Sequence, residues 1–289
     1  MRGDQLRKQW CAALLAAVLL ALPSCVSAPK LPPPRAVAVT TLPLEPAIPE
    51  ILPDGEETIY GVKFGILSVG EVTYRVAHVE DAGVPMLRLE SQTQASAWLS
   101  AFLKIGGVMR SYVDRTSLLP SSYWWITAEK EDPLMRTASF DHVNGLVYAA
   151  SYQQKCIQTR VISGHEIHDP VSAIMLIRAI DFGRVPDELR LYLVEGIDLH
   201  LMTLRLDGRE VMDEDFQCKG AKRVSLRTDR IGCDGKMTGE EPYNSLLMWI
   251  EELPPHAILK IEGRVGGSKL KLSLKQRTVL PSAASRPAS

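Results

Sequence analysis

The feature that most limits what this chain can fold into is a strict two-residue alternation of apolar and polar side chains. Lys269-Leu270-Lys271-Leu272-Ser273-Leu274-Lys275 alternates without a fault. Just before it, Leu259, Ile261, Gly263 and Val265 alternate with Lys260, Glu262 and Arg264. Successive side chains of a strand point to opposite faces, so each run builds one dry and one wet face. Gly266-Gly267 between them is a two-residue hairpin signal. Pairing across that turn sets Gly263 opposite Leu270, Ile261 opposite Leu272 and Leu259 opposite Leu274, with Glu262 opposite Lys271 on the wet side.

The same logic places a hairpin at Asn144-Gly145, between Thr137–Val143 and Leu146–Tyr152. Another falls at Asp207-Gly208, which would set Arg205 opposite Glu210 and Leu204 opposite Val211. The apolar phase slips near Leu201-Met202, which predicts a β-bulge there. Gly61, Gly65 and Gly70 fall on strands, where glycine marks bends or close packing rather than a phosphate loop. About a dozen such runs joined by short turns predict a mainly β domain. Its large curved antiparallel sheet would be barrel-like or folded into a sandwich, with two short helices. One helix is Ala97–Ile105, with Trp98, Phe102 and Ile105 on one side and Gly106-Gly107 to end it. The other starts at Asp169, a good N-cap, followed by Pro170 at the first helical position. Val171, Ile174, Met175 and Arg178 then share a face, an apolar stripe ending in a cation. Both helices are expected to cover the sheet's edge or a barrel's open end.

The N-terminus carries an export signal. Arg2, Arg7 and Lys8 precede an unbroken apolar run, Trp10 to Leu22, of 13 residues. That is short of the roughly 20 needed to span a bilayer and fits a secretory h-region. Residues 1–28 thus read as a signal peptide with two competing cleavage sites. Leu22-Pro23-Ser24-Cys25 looks like a lipobox that would lipidate Cys25, although Pro23 departs from the usual pattern; Val26-Ser27-Ala28 would release a soluble protein. The lipoprotein reading leads, because a Pro-rich linker over 29–53 follows. It places the protein in the periplasm, anchored to the outer membrane through the lipid alone. The β domain spans 54–279, and 280–289 forms a flexible tail. The net charge of −1 carries no basic field for nucleic acid.

Several segments also resemble a known family. Tyr60-Gly61-Val62-Lys63-Phe64-Gly65-Ile66 with Val69-Gly70-Glu71 is similar to the opening strands of the bacterial family catalogued as domain of unknown function 3108. Ser111-Tyr112-Val113-Asp114 with Leu118-Leu119-Pro120, then Phe140-Asp141, Asp169-Pro170 with Ser172-Ala173 and Arg178, follow in family order. Leu246 to Ile250 and the last hairpin complete it, so the resemblance covers about Thr58 to Gln276. Glu251-Glu252-Leu253 departs from it, since the family more often has an aspartate after that apolar run. The resemblance implies an exported, mostly β envelope protein of Gram-negative bacteria, and implies no activity.

Candidate sites are few. His165-Glu166-Ile167-His168-Asp169 is the one cluster of metal-ligand types, but its histidines lie three apart and precede the helix, so a polar loop ending in a cap outweighs a metal site. Arg178 could hold an anionic head group or, by the stronger reading, pair internally with Asp114 or Asp169. Tyr123-Trp124-Trp125 puts two indoles on opposite faces of one strand, one of them toward a cavity or the exterior. Cys218 and Cys233 flank a predicted strand and are a disulfide candidate, leaving Cys156 as a buried thiol or alternative partner. No catalytic constellation and no cofactor motif can be assembled. The leading expectation is a carrier of a lipid or other amphipathic ligand, in a cavity lined by residues such as Trp98, Phe102, Ile174 and Met175. The alternatives are an assembly factor that binds another envelope protein, with a filled core and an exposed patch near Trp124 or Trp125, and, ranked last, a hydrolase.

Overall fold

The computed structural model describes residues 44–45, 48–81, 83–95, 106–127, 133–153, 156–185, 187–217, 219–232, 235–237, 245–265 and 268–280. Fifteen strands form one sheet: β1 (Glu56–Phe64), β2 (Leu67–Asp81), β3 (Val84–Ala95), β4 (Gly106–Asp114), β5 (Pro120–Thr127), β6 (Met135–Asp141), β7 (Leu146–Gln153), β8 (Cys156–Ser163), β9 (Ile167–His168), β10 (Leu189–Glu195), β11 (Asp198–Val211), β12 (Gly220–Ile231), β13 (Leu246–Glu251), β14 (Ile258–Val265) and β15 (Ser268–Val279). Helix α1 covers Ile48–Ile51 and α2 covers Pro170–Ala179. Neighbours in the sheet run β8 back to β1, then β15 back to β9, so the first and last strands pair at its centre.

This order dictates curvature. A flat sheet of 15 strands would be roughly 65 Å wide at about 4.8 Å per strand. Yet its two edge strands are consecutive in the chain, and from Ser163 to Ile167 the backbone reaches at most about 14 Å. The sheet must therefore curl until its edges meet. It does not close, and the edges overlap instead. The turn between β10 and β11 reaches over the concave face of the opposite wing, where Glu195 pairs with Arg136 of β6 and the carbonyl of Ile197 accepts from Arg160 Nη1 of β8 at 3.0 Å.

Helix α2 fills the concavity. Its N-cap Asp169 accepts from the amides of Val171 (2.9 Å) and Ser172 (3.0 Å), and Ser172 Oγ accepts in return from the Asp169 amide at 3.0 Å, a reciprocal cap that satisfies amides a helix start leaves open. The helix packs against β3, β4, β10 and α1. All of its residues are buried except Pro170 and Ile174, which are half-buried. The expected single apolar stripe is thus corrected: a helix apolar on nearly every side is a core helix, and this one is the plug of the fold rather than a cover for an edge. The second expected helix, Ala97–Ile105, lies outside the described residues.

The terminal hairpin pairs as expected at Gly263–Leu270, Ile261–Leu272 and Glu262–Lys271. The hairpin expected around Asn144-Gly145 is present, but its loop is four residues long rather than two: the strand ends at Asp141, which pairs with Leu146, instead of running to Val143. Gly145 sits at φ +63°, where its missing Cβ also leaves room for the His165 ring. The hairpin expected at Asp207-Gly208 is overturned. β11 runs straight through it, and the register against β12 slips between Leu206 and Gly208, leaving Asp207 as the extra residue of a bulge. The bulge expected at Leu201-Met202 is absent, because Leu199 to Met202 are all buried and both faces of the strand are dry there. Gly65 sits in the β1–β2 turn at φ +60°, not on a strand.

Candidate functional site

Two places among the described residues are the candidates. The first is a buried polar cluster at the start of α2. Ser111 of β4 donates its hydroxyl to Asp169 Oδ2 at 2.6 Å. Strand register puts Tyr123 of β5 beside Ser111, and Arg136 of β6 beside Trp125. The Arg136 guanidinium lies over the Trp125 ring, 4.7 Å from its centroid, and pairs with Glu195. His168 is fully buried beside Asp169, and neither of its ring nitrogens nor the Tyr123 hydroxyl has a hydrogen-bond partner among the described residues.

The electrostatics follow from burial. Loss of water pushes the His168 imidazole down to about 3, helped by the nearby His142, so it is neutral at ordinary pH. Burial raises the Asp169 carboxyl, opposed by its bonds from Ser111, Ser172 and Val171. Tyr123 is raised well above its usual value by burial and then by the carboxylates of Glu195 and Asp169. Ser111 bonds to Asp169 directly, with no imidazole between them, so this contact ties the helix cap to β4.

The second place is a cleft of about 850 Å³ lined by Phe182, Val185, Asp187, Glu188, Arg205 and Leu206. The segment after α2 supplies the first four and β11 the last two. Phe182 is buried, Val185 and Leu206 are half-buried, and the charged residues stand exposed. The β11 bulge shapes its rim, because Asp207 Oδ1 accepts from Arg205 Nε at 2.9 Å and from Ser225 Oγ at 3.1 Å. Its size falls in the range of roughly 300–1,000 Å³ usual for small-molecule sites.

The residues singled out from the sequence scatter. Arg178 is buried but pairs with neither Asp114 nor Asp169. Its partner is Glu56 of β1, reached from Nη1 at 2.8 Å and Nη2 at 3.0 Å, and Nη2 also donates to the carbonyls of Ile51 (2.7 Å) and Pro255 (3.0 Å). Arg277 Nε adds a bond to Glu56 at 2.7 Å. Asp114 instead orders the β4–β5 turn, accepting from the amides of Thr116 and Ser117 and from Ser117 Oγ; these bonds hold its carboxyl below the usual range against the opposing effect of its partial burial.

Trp125 faces the core, and Trp124 faces out beneath Arg110, 5.0 Å from the ring centroid. Met175 is buried in the core, Ile174 half-buried, and neither lines the cleft. His165 packs by Gly145, and among the described residues no three His, Cys, Asp or Glu side chains converge to hold a metal. Cys25, Trp98, Phe102, Cys218 and Cys233 lie outside the described residues. Cys156 is exposed on β8 rather than buried.

Reasoning from sequence missed Glu56, Arg136 and Glu195. The signal was there for two of them: Glu56 keeps phase with Thr58, Tyr60, Val62 and Phe64, and Arg136 with Ala138 and Phe140, so each is a charge on a dry face.

A family model described as protein of unknown function (DUF3108) matches residues 59–274. The chain belongs to that family. Among solved structures, a β-barrel-like protein of the domain of unknown function DUF1849 from Brucella abortus superposes with a TM-score of 0.52 at 10% identity, over 78% of this chain and 98% of that one. The two share a fold. LprF from Mycobacterium bovis aligns over 86% of this chain and 100% of its own at 12% identity, but its TM-score of 0.25 carries no argument. No curated protein matches.

Proposed function

We propose that this family member is an exported, non-catalytic binding protein of the cell envelope, held to the outer membrane by a lipid on Cys25, that takes an amphipathic ligand in the cleft beside β11. The observation that supports the reading is the composition of that cleft. Phe182, Val185 and Leu206 offer an apolar floor, and Arg205, Asp187 and Glu188 offer a charged rim, the combination that an acyl chain with a polar head group needs. The location rests on the signal sequence and the Pro-rich linker. The ligand site is not the one expected from Ile174 and Met175, since α2 and its side chains occupy the interior.

The test is titration with a fluorescent 16-carbon fatty acid, together with native mass spectrometry of protein purified gently from envelopes. Saturable one-to-one binding that Val185→Lys abolishes, with the fold intact by circular dichroism, is the expected result. A clean protein mass and no saturable binding would remove the ligand reading. The filled interior would then favour an assembly factor that binds an envelope protein.

A further inference from the structure

The two edges of the sheet are built differently. β9 is two residues long and leads straight into α2, so it offers almost no backbone for another strand. β8 is eight residues long, pairs with β7 in an unbroken register, contains no proline and carries one charge, Arg160. Protein edges are ordinarily blunted by short strands, bulges, proline or repeated charge, and β8 carries few of these.

A single convex row crosses the wing that ends in β8. It reads Glu57, Arg75, Glu90, Arg110, Trp124, Thr137, Ala150 and Thr159 from β1 to β8. The row is an ion ladder as far as β4 and uncharged from β5 onward. Around its uncharged end, Ile157 is 63% exposed, Val161 57% and Tyr148 49%, with Val161 paired to Tyr148 and Ile157 to Tyr152. This is an apolar surface that runs to an edge with no partner strand among the described residues.

We infer that β8 pairs antiparallel with β8 of a second copy of this chain, continuing the sheet across a two-fold axis at Thr159. Side chains opposite one another across an antiparallel ladder must share a face, which leaves only registers that keep convex residues against convex ones. The register centred on Thr159 sets Ile157 against Val161 of the other copy on both sides of the axis, with Thr159 against Thr159. On the concave face it sets Gln158 against Arg160. Moving the axis to Arg160 opposes two guanidinium groups, and moving it to Gln158 puts Ile157 opposite Thr159 and leaves only five residues of each strand paired. The strand is thus self-complementary in one register, with apolar rungs outside and the single cation facing a neutral amide. An isologous contact of this kind closes on itself and stops at two copies. An eight-residue edge with its flanking convex face is smaller than a standard interface of about 1,600 Å², so the dimer forms reversibly.

Sedimentation velocity of the purified protein over a wide concentration range tests this. The expected result is a concentration-dependent monomer–dimer equilibrium. The double variant Ile157→Lys with Val161→Lys should raise the dimer dissociation constant at least ~10-fold, since it places lysine against lysine on the two apolar rungs. Both side chains are exposed, so its circular dichroism should match the parent. Gln158→Glu should act oppositely, tightening the dimer by giving each Arg160 a carboxylate across the axis, and this gain should fade in high salt. A chain that stays monomeric at all concentrations overturns the inference. So does a dimer that both variants leave unchanged, because it would use another surface.

Discussion

The concave and convex faces of the one sheet handle charge in opposite ways. On the convex face, ions form partly exposed ladders: Arg75 meets Glu57 at 2.6 Å and Glu90 at 3.4 Å, Arg110 meets Glu90 at 2.6 Å, and Glu262 lies between Lys260 and Lys269 at 3.1 and 3.0 Å. On the concave face, three charged groups among the described residues are fastened to distant elements: Arg178 to Glu56, Arg136 to Glu195, and Asp169 to Ser111. Water reaches part of the first set and screens it, so losing a member costs less there. The second set has no water to fall back on, so losing one partner strands the other. The lesson is that the convex charges keep the sheet soluble, whereas the concave charges fix where the helix and the β10–β11 turn sit.

The largest difference between the faces should come from Arg178→Met. It strands Glu56 and frees the carbonyls of Ile51 and Pro255, and should cost about 3–5 kcal/mol in denaturant unfolding, toward the lower end because Arg277 still meets Glu56. Replacing Glu56 by Gln as well should recover part of that loss, since no buried charge then stands alone.

Acid should come next. His168 is held down to about 3 and His200 to about 4, mainly by burial, below the ordinary value near 6.5. A folded-state value below the unfolded one means full stability above about pH 6.5, lost progressively as pH falls toward 3. Asp169, raised by burial, works the other way and softens the slope. Urea midpoints measured from pH 7 to 4 should fall, and fall less steeply in His168→Leu; a parallel slope in that variant would remove His168 from the account. The smallest effect should be Arg110→Ala on the convex face, within ~1 kcal/mol and shrinking in salt. A loss as large as that of Arg178→Met would erase the contrast.

Much of this was legible in the sequence where a local rule sufficed. The glycine hairpin before β15 was legible because register, burial and charge agreed, and the α2 cap because Asp-Pro is a start signal in itself. Asp207-Gly208 misled because the same dipeptide suits a tight turn and a bulge, and only the continuation of pairing into β12 decides between them. The two dry faces at Leu199–Met202 hid the phase. The partner of Arg178 lies 122 residues away in sequence, where no periodicity points. The cleft could not be seen at all, since its floor joins the segment after α2 to β11 only once the sheet has curled.

The pairing of β1 with β15 has a consequence for how the chain reaches this state. The central ladder of the sheet joins the first strand of the domain to the last, so neither wing can complete its core until the final residues are available. Contacts this distant in sequence form slowly. During synthesis from the N-terminus, β1 can pair with β2 on one side while its other edge waits for a strand that does not yet exist. The topology itself supplies a delay: β15 acts as the keystone set last.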